Sequence, residues 1–320
     1  MTQIKVKVLE PENFSNKAVV ALQVIGSVEL SSDISKGQSD AEVLFVRLRY
    51  QLDSAFLSAF PKLRYIVSPT TGEDHVDRVY IQAQNIQLLS LKGEREFLQT
   101  IPATAEFTWG LLLSLVRRIG WASQSVCAGE WNRDAFKGHD LFGKTIGLLG
   151  YGRVANIVTR YARAFGLTVK AYDPYVSSFP DGVECCSSLH ELVKGIDILS
   201  VHALLSEETI NLIGNQEFEL LPNHAVVLNT SRGDIVDAEA LLAALAEGKI
   251  AGAAIDVIPG ERADQNSIKD RLLAYANNHS NLLITPHLAG ATYESMEMTE
   301  EFMVGKLLKL LVVMPGLIRC

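Results

Sequence analysis

A chain of 320 residues, 48% hydrophobic and 21% charged, carries too much apolar residue for one ordinary core, so two domains are expected. Its net charge of −8, spread without long single-sign blocks, excludes the basic footprint of a nucleic-acid binder. No apolar run approaches the roughly 18 residues that span a bilayer, and the start MTQIKVKVLEPEN lacks the apolar stretch of a signal peptide.

In chain order, Ala18–Val24, Val43–Leu48, Tyr65–Val67 and Gln87–Leu89 read as strands, with helical Asp53–Phe60 and Val76–Gln84 between them. This predicts a small α/β unit. Ile101–Pro102 marks a boundary, and Ala103 to Ile119 then reads as a helix with a broad apolar face of Leu111, Leu112, Leu115 and Val116. A more regular unit follows. Strands are expected at Lys144–Leu149, Thr168–Tyr172, Asp197–Val201, Ala225–Asn229, Gly252–Val257 and Leu282–Thr285, separated by helices such as Arg153–Phe165 and Ala238–Glu247. Such alternation predicts a parallel sheet covered on both faces. Lys306–Val313 reads as a packed terminal helix. Cys127, Cys185, Cys186 and Cys320 have no metal spacing and form a poor disulfide framework, so reduced thiols in a cytoplasmic protein are expected.

Gly150-Tyr151-Gly152-Arg153-Val154-Ala155 stands where a buried strand turns into a helix, and carries the G-x-G-x-x-A pattern of a dinucleotide loop. Gly150 permits the tight turn, Gly152 lets the backbone approach a pyrophosphate, and Ala155 keeps helix and strand close; the helix N-terminus offers free N–H groups to the phosphates. Asp173 ends the next strand, where a carboxylate can accept from an adenosine ribose or cap the Asp-Pro-Tyr turn. No Arg or Lys occurs from Pro174 to Asp181, so NAD is expected over NADP. Arg232, Glu261 and His287 each follow a predicted strand. Parallel strands end along one edge, so a cation, a carboxylate and an imidazole are expected to converge beside the nicotinamide. Arg47 and Arg49 alternate with Val46 and Leu48, so both can point one way from a strand, toward an anion or merely toward solvent.

These motifs, with Thr70-Thr71-Gly72-Glu-Asp-His-Val-Asp77, Val201-His202, Asn229-Thr230-Ser-Arg232-Gly233-Asp234 and Thr285-Pro-His287, resemble the D-isomer-specific 2-hydroxyacid dehydrogenases, nearest the phosphoglycerate dehydrogenase branch, from about Ile66 to Glu294. The resemblance implies two Rossmann-like domains: a doubly wound NAD domain over 103–285, inserted in a smaller flavodoxin-like substrate domain of 1–102 plus 286–320. It implies catalytic roles for Arg232, Glu261 and His287. His287 would donate a proton to the substrate oxygen, Glu261 would orient its ring, and Arg232 would bind the substrate carboxylate or polarise the carbonyl. It implies cofactor contacts at Gly150, Tyr151, Gly152, Arg153, Val154, Asp173, His202, Thr230 and Asp256, and substrate contacts at Thr71 and Gly72. Arg47 and Arg49 correspond to arginines that hold a substrate phosphate in that branch, so a second anionic group, as in 3-phosphoglycerate, is expected.

A homodimer is implied too, through the helix starting near Ala103 and the segment bearing Trp121 and Trp131. The expected cofactor is NAD, and the expected partner a small 2-hydroxy or 2-keto acid, with no nucleic acid, membrane or metal. Two alternatives share the scaffold. One is a non-enzymatic NAD-sensing corepressor-like protein. The other is a formate dehydrogenase-like enzyme, against which Glu261 speaks, since that position is a glutamine there. The chain departs from the family at Arg262, where proline is usual, at Ala289, where glycine is common, and in a longer stretch from Glu261 to His287.

Overall fold

The computed structural model describes residues 3–34, 39–263, 265 and 267–313. Cys127, Cys185 and Cys186 are free thiols; Cys320 lies outside the described residues. The chain divides into two compact units, Met1–Ile101 with Ala291–Cys320, and Pro102–Gly290. The second crossing falls after Gly290 rather than after residue 285, because hydrogen bonds tie the His287 turn to the strand edge of the second unit.

The first unit holds β1 (Ile4–Val8), α1 (Asn16–Gln23), β2 (Gly26–Leu30), β3 (Val43–Phe45), α2 (Ser54–Leu57), β4 (Tyr65–Val67), α3 (Arg78–Ala83), β5 (Gln87–Leu89) and α4 (Arg95–Leu98). Its sheet is parallel throughout, in the order β2-β1-β3-β4-β5. Alternate residues of β3 and β4 serve opposite faces. Val43, Phe45, Tyr65 and Val67 pack with α1 and with the terminal helix, Tyr293–Val313. Leu44 and Ile66 pack with Leu57 of α2 and Ile81 of α3. Both faces are therefore covered, which is why these strands read as unbroken apolar runs.

Ala18–Val24, expected as a strand, lies mainly in the helix α1. The Ser15 side chain accepts from the Ala18 N–H and starts the helix. Ala18 and Leu22, one turn apart, are buried, while Val20 and Val24 are 64% and 82% exposed. The β-branched content suggested a strand, but the period is helical. β1 and β2, on either side, are strands beyond those expected.

The second unit starts with α5 (Ala103–Val116), which stops short of Ile119 because Arg118 adopts a left-handed φ of 55° and turns the chain into α6 (Ile119–Cys127). No residue of α6 is buried, and Ile119, Val126 and the following Trp131 are exposed; the expected homodimer segment falls here. Then come β6 (Thr145–Leu149), α7 (Arg153–Ala164), β7 (Thr168–Tyr172), β8 (Val183–Cys185), α8 (Leu189–Val193), β9 (Ile198–Val201), α9 (Asn215–Leu220), β10 (Val226–Asn229), α10 (Ala238–Ala246), β11 (Gly252–Ile255), α11 (Ser267–Asn278) and β12 (Leu282–Ile284). All seven strands are parallel, in the order β12-β11-β10-β9-β6-β7-β8. The order reverses direction between β6 and β9, so their carboxyl ends open the switch-point crevice where ligands bind in such sheets. Leu148 and Ile146 pack beneath α5 and α7, while Leu149 and Leu199 pack on the α8–α10 side.

Candidate active site

The loops after β6 and β9 meet at the switch point. Gly150 has φ 83°, and a β-carbon there would lie 2.6 Å from the Ala203 backbone nitrogen, so only glycine permits both turn and approach. A β-carbon on Gly152 would meet no protein atom within 4 Å, which leaves room for a ligand at the start of α7. That helix has no side-chain cap and no acid in its first turn; Arg153 stands there instead, and burial lowers its pKa. Uncapped N–H groups, a cation and open space suit a pyrophosphate. Val154 follows in the same turn, half-buried.

Asp173, just past β7, accepts from the Tyr151 N–H at 2.8 Å and the Tyr175 N–H at 2.9 Å. It therefore shapes the glycine loop and caps its own turn, and each oxygen keeps a second lone pair for a ribose hydroxyl. The side chain of Tyr151 points inward, its hydroxyl 3.1 Å from Thr159 Oγ1 and its ring against Phe179, so only its backbone remains for a cofactor. His202 follows β9; burial pushes its pKa down to about 4, and its Nε2 pairs with the Ser200 hydroxyl at 2.9 Å. Thr230 is buried, and its hydroxyl pairs with Thr108 Oγ1 at 2.7 Å. Thr108 already donates to the Thr104 carbonyl, so Thr230 is the donor in that pair.

Arg232, Glu261 and His287 belong to the same unit, beyond the carboxyl ends of β10, β11 and β12. Their loops are joined by backbone bonds that prolong the ladder: the Asp256 N–H donates to the Asn229 carbonyl, the Thr285 N–H to Ile255, and the His287 N–H to Asp256 at 2.9 Å. Asn229, 1% exposed, shapes the arginine turn by accepting from the Ser231 N–H and donating to the Arg232 carbonyl. A β-carbon on Gly233 would sit 2.1 Å from the Ile258 carbonyl carbon, so glycine there lets the Arg232 loop lie directly against the segment leading to Glu261.

His287 has φ 56°, a left-handed conformation costly for a side-chain-bearing residue. Asp256, 1% exposed, holds it. Its carboxylate accepts from the Thr285 hydroxyl at 2.5 Å and from the Leu288 and Ala289 N–H groups at 2.8 Å each. Burial pushes the Asp256 carboxyl above its usual pKa, against these three bonds. Asp256, which the resemblance gives a cofactor contact, also anchors the histidine turn. Ala289 packs there as a buried side chain.

His287 Nδ1 lies 2.7 Å from Glu261 Oε1. A carboxylate can only accept, so Nδ1 donates and Nε2 is the ring nitrogen left for a reactant. Burial opposes ionisation of Glu261, but the bond from His287 and the charges of Arg262 and Arg232 hold its pKa below the usual carboxylate value. Arg262 lies 3.5 Å from the Glu261 carboxylate. The stretch between Glu261 and His287 holds α11 and β12.

The other sequence-derived candidates belong to the first unit. Arg47 and Arg49 follow β3 in the first unit, where Arg47 pairs with Glu300 and Arg49 with Glu12. Thr71, exposed, and Gly72, half-buried, follow β4, with the Thr70 hydroxyl donating to the Gly72 carbonyl at 2.9 Å. A cavity of about 320 Å³ in the second unit lies at the amino ends of β9–β11, lined by Asp197, His224 and Asn281, on the opposite edge from His287. Among the described residues no cluster of His, Cys, Asp and Glu could hold a metal ion, and no helix is long and apolar enough to cross a membrane.

Residues 109–289 match the family described as D-isomer specific 2-hydroxyacid dehydrogenase, NAD binding domain. Over 98% of its length the chain is 30% identical to a D-3-phosphoglycerate dehydrogenase of Methanocaldococcus jannaschii, but it spans only 60% of that protein. It is 31% identical over 84% of its length to a glyoxylate reductase of Thermococcus gammatolerans, of which it spans 79%. The crystal structure of D-lactate dehydrogenase from Aquifex aeolicus, complexed with NAD and lactic acid, superposes with a TM-score of 0.81 at 28% identity, covering 96% of this chain and 95% of that one. These relatives are named for different acids, and the family match covers more than half of the sequence: the chain belongs to the D-isomer-specific 2-hydroxyacid dehydrogenase family.

Proposed function

We propose that this chain interconverts a small D-2-hydroxy acid and its 2-keto acid with NAD(H). The observation that carries the reading is the His287–Glu261 pair at 2.7 Å, with Arg232 on the neighbouring strand end. When bound, NADH supplies a hydride to C2 of the keto acid. His287 Nε2 then gives its proton to the carbonyl oxygen as charge develops there. Glu261 holds Nδ1 and fixes the ring's orientation. Arg232 is the cation for the substrate carboxylate or the polarised carbonyl.

The test is a panel of 2-keto acids with NADH and NADPH. At least one acid is expected to oxidise NADH, with kcat/KM for NADPH lower by about tenfold or more, because a 2′-phosphate would meet the Asp173 carboxylate. Equal use of both cofactors contradicts the role given to Asp173. No turnover with any acid contradicts the enzyme reading.

A further inference from the structure

The cavity at the amino ends of β9, β10 and β11 lies wholly within the second unit, on the edge away from Arg232, Glu261 and His287. Its volume of about 320 Å³ is at the lower end for ligand cavities, so an occupant is small. Leu115, Leu141, Ile198 and Val226 give it an apolar wall. Of the two acids in the lining, Asp197 is already engaged: its carboxylate accepts from the Thr145 N–H at 2.8 Å and pairs with Lys144 and His224 at 3.1 Å each. Asp140, the other, is exposed. Arg118 and Asn281 differ. Arg118 holds a left-handed φ of 55° between α5 and α6, and its guanidinium donates to the Ser280 hydroxyl. Among the described residues no carboxylate pairs with it. Its Nε, a donor, is buried without a hydrogen-bond partner, and so is Asn281 Oδ1, an acceptor. Buried polar atoms are rarely left so.

We propose that this cavity binds a small aliphatic carboxylate with an N–H or O–H donor beside the carboxyl group, the chemistry shared by 2-amino and 2-hydroxy acids. The carboxylate accepts from Arg118 Nε and meets the guanidinium charge. The neighbouring donor serves Asn281 Oδ1. Arg118 already reaches Ser280, the residue before Asn281, so the two buried atoms belong to adjoining parts of the wall. The aliphatic body lies along Leu115, Leu141, Ile198 and Val226 and leaves water there. A single molecule of this class satisfies the donor, the acceptor and the apolar surface together. This site is separate from the proposed reaction and does not rest on it.

The experiment is calorimetry on the full chain with four probes: valine, 2-hydroxyisovalerate, isovalerate, which lacks the donor, and isovaleramide, which lacks the charge. Valine or 2-hydroxyisovalerate is expected to bind about tenfold or more tightly than isovalerate and isovaleramide, and the tighter of the two tells amino from hydroxy acid. Arg118→Asn removes the guanidinium, and asparagine tolerates the left-handed φ, so the variant is expected to fold. It should bind the preferred acid about tenfold or more weakly. Asn281→Leu removes an unpaired buried oxygen, so it should hold or raise Tm while erasing the preference over isovalerate. Absence of binding by all four probes, as when one water bridges the two buried atoms, overturns the proposal. So does binding that Arg118→Asn leaves unchanged, since the acid then sits elsewhere on the chain. The calorimetry needs no turnover, so its outcome is independent of the dehydrogenase reading.

Discussion

His287→Ala is expected to lower kcat by about 10²–10⁴-fold, the usual worth of a positioned general acid, while NADH affinity stays within about threefold of the wild type. The split follows from the geometry. His287 lies past β12, whereas the glycine loop, α7 and Asp173 surround β6 and β7, and none of them bonds to the histidine side chain. Stopped-flow turnover and fluorescence titration of NADH read the two quantities separately, and a loss of NADH affinity equal to the loss of kcat would make His287 a cofactor residue. The companion variant, Glu261→Gln, adds a pH signature. Glu261 titrates below its usual 4.5, so its bond to His287 and the stability it contributes are fully present above about pH 4.5. Both are lost as pH falls through the lowered value. A glutamine cannot titrate, so the variant's activity should be lower near neutrality and lack the acid limb that Glu261 gives the wild type. Superimposable profiles place Glu261 outside the proton relay.

Asp256→Asn is the second large effect. Asp256 uses Oδ1 for Thr285 and Leu288 and Oδ2 for Ala289. An asparagine keeps one oxygen and sets an NH₂ against a donor, leaving a buried polar group unpaired at about 1–3 kcal/mol. The turn that holds His287 at φ 56° then loses part of its anchor. Displacing a catalytic group by about 1 Å can cost about 10²-fold, so kcat at saturating NADH is expected to fall by about 10–100-fold with a measurable drop in Tm. A residue that merely touched the cofactor would instead raise the KM for NADH and leave kcat in place. That outcome returns Asp256 to the cofactor role expected from the motif.

The second sheet was readable because β6, β9, β10 and β11 are buried on both faces and appear as apolar runs between helical periods. Arg232, Glu261 and His287 were readable as chemistry because each closes such a run, and a parallel sheet carries run ends to one edge. Polar residues that end the runs, Asn229 and Asp256, carry a signal of the same kind, since a buried amide or carboxylate there must have partners. Their work on the neighbouring loops is a matter of hydrogen-bond direction, which no spacing reveals. Gly233 stood in the motif, yet its reason, contact with Ile258, lies in another loop. The strand reading of Ala18–Val24 failed because residue type and period disagreed, and the period prevailed. Arg47 and Arg49 showed their alternation but not their partners. Glu300 is 253 residues away from Arg47, in a helix that only the folded first unit brings to β3.

The most direct measurement of the central claim follows deuterium from C4 of stereospecifically labelled NADH during reduction of whichever 2-keto acid the panel identifies. The account predicts that one of the two C4 positions delivers its label to C2 of the hydroxy acid, with the hydroxyl proton drawn from solvent through His287. A product free of label from both C4 positions, or NADH consumption with the keto acid recovered intact, would contradict it.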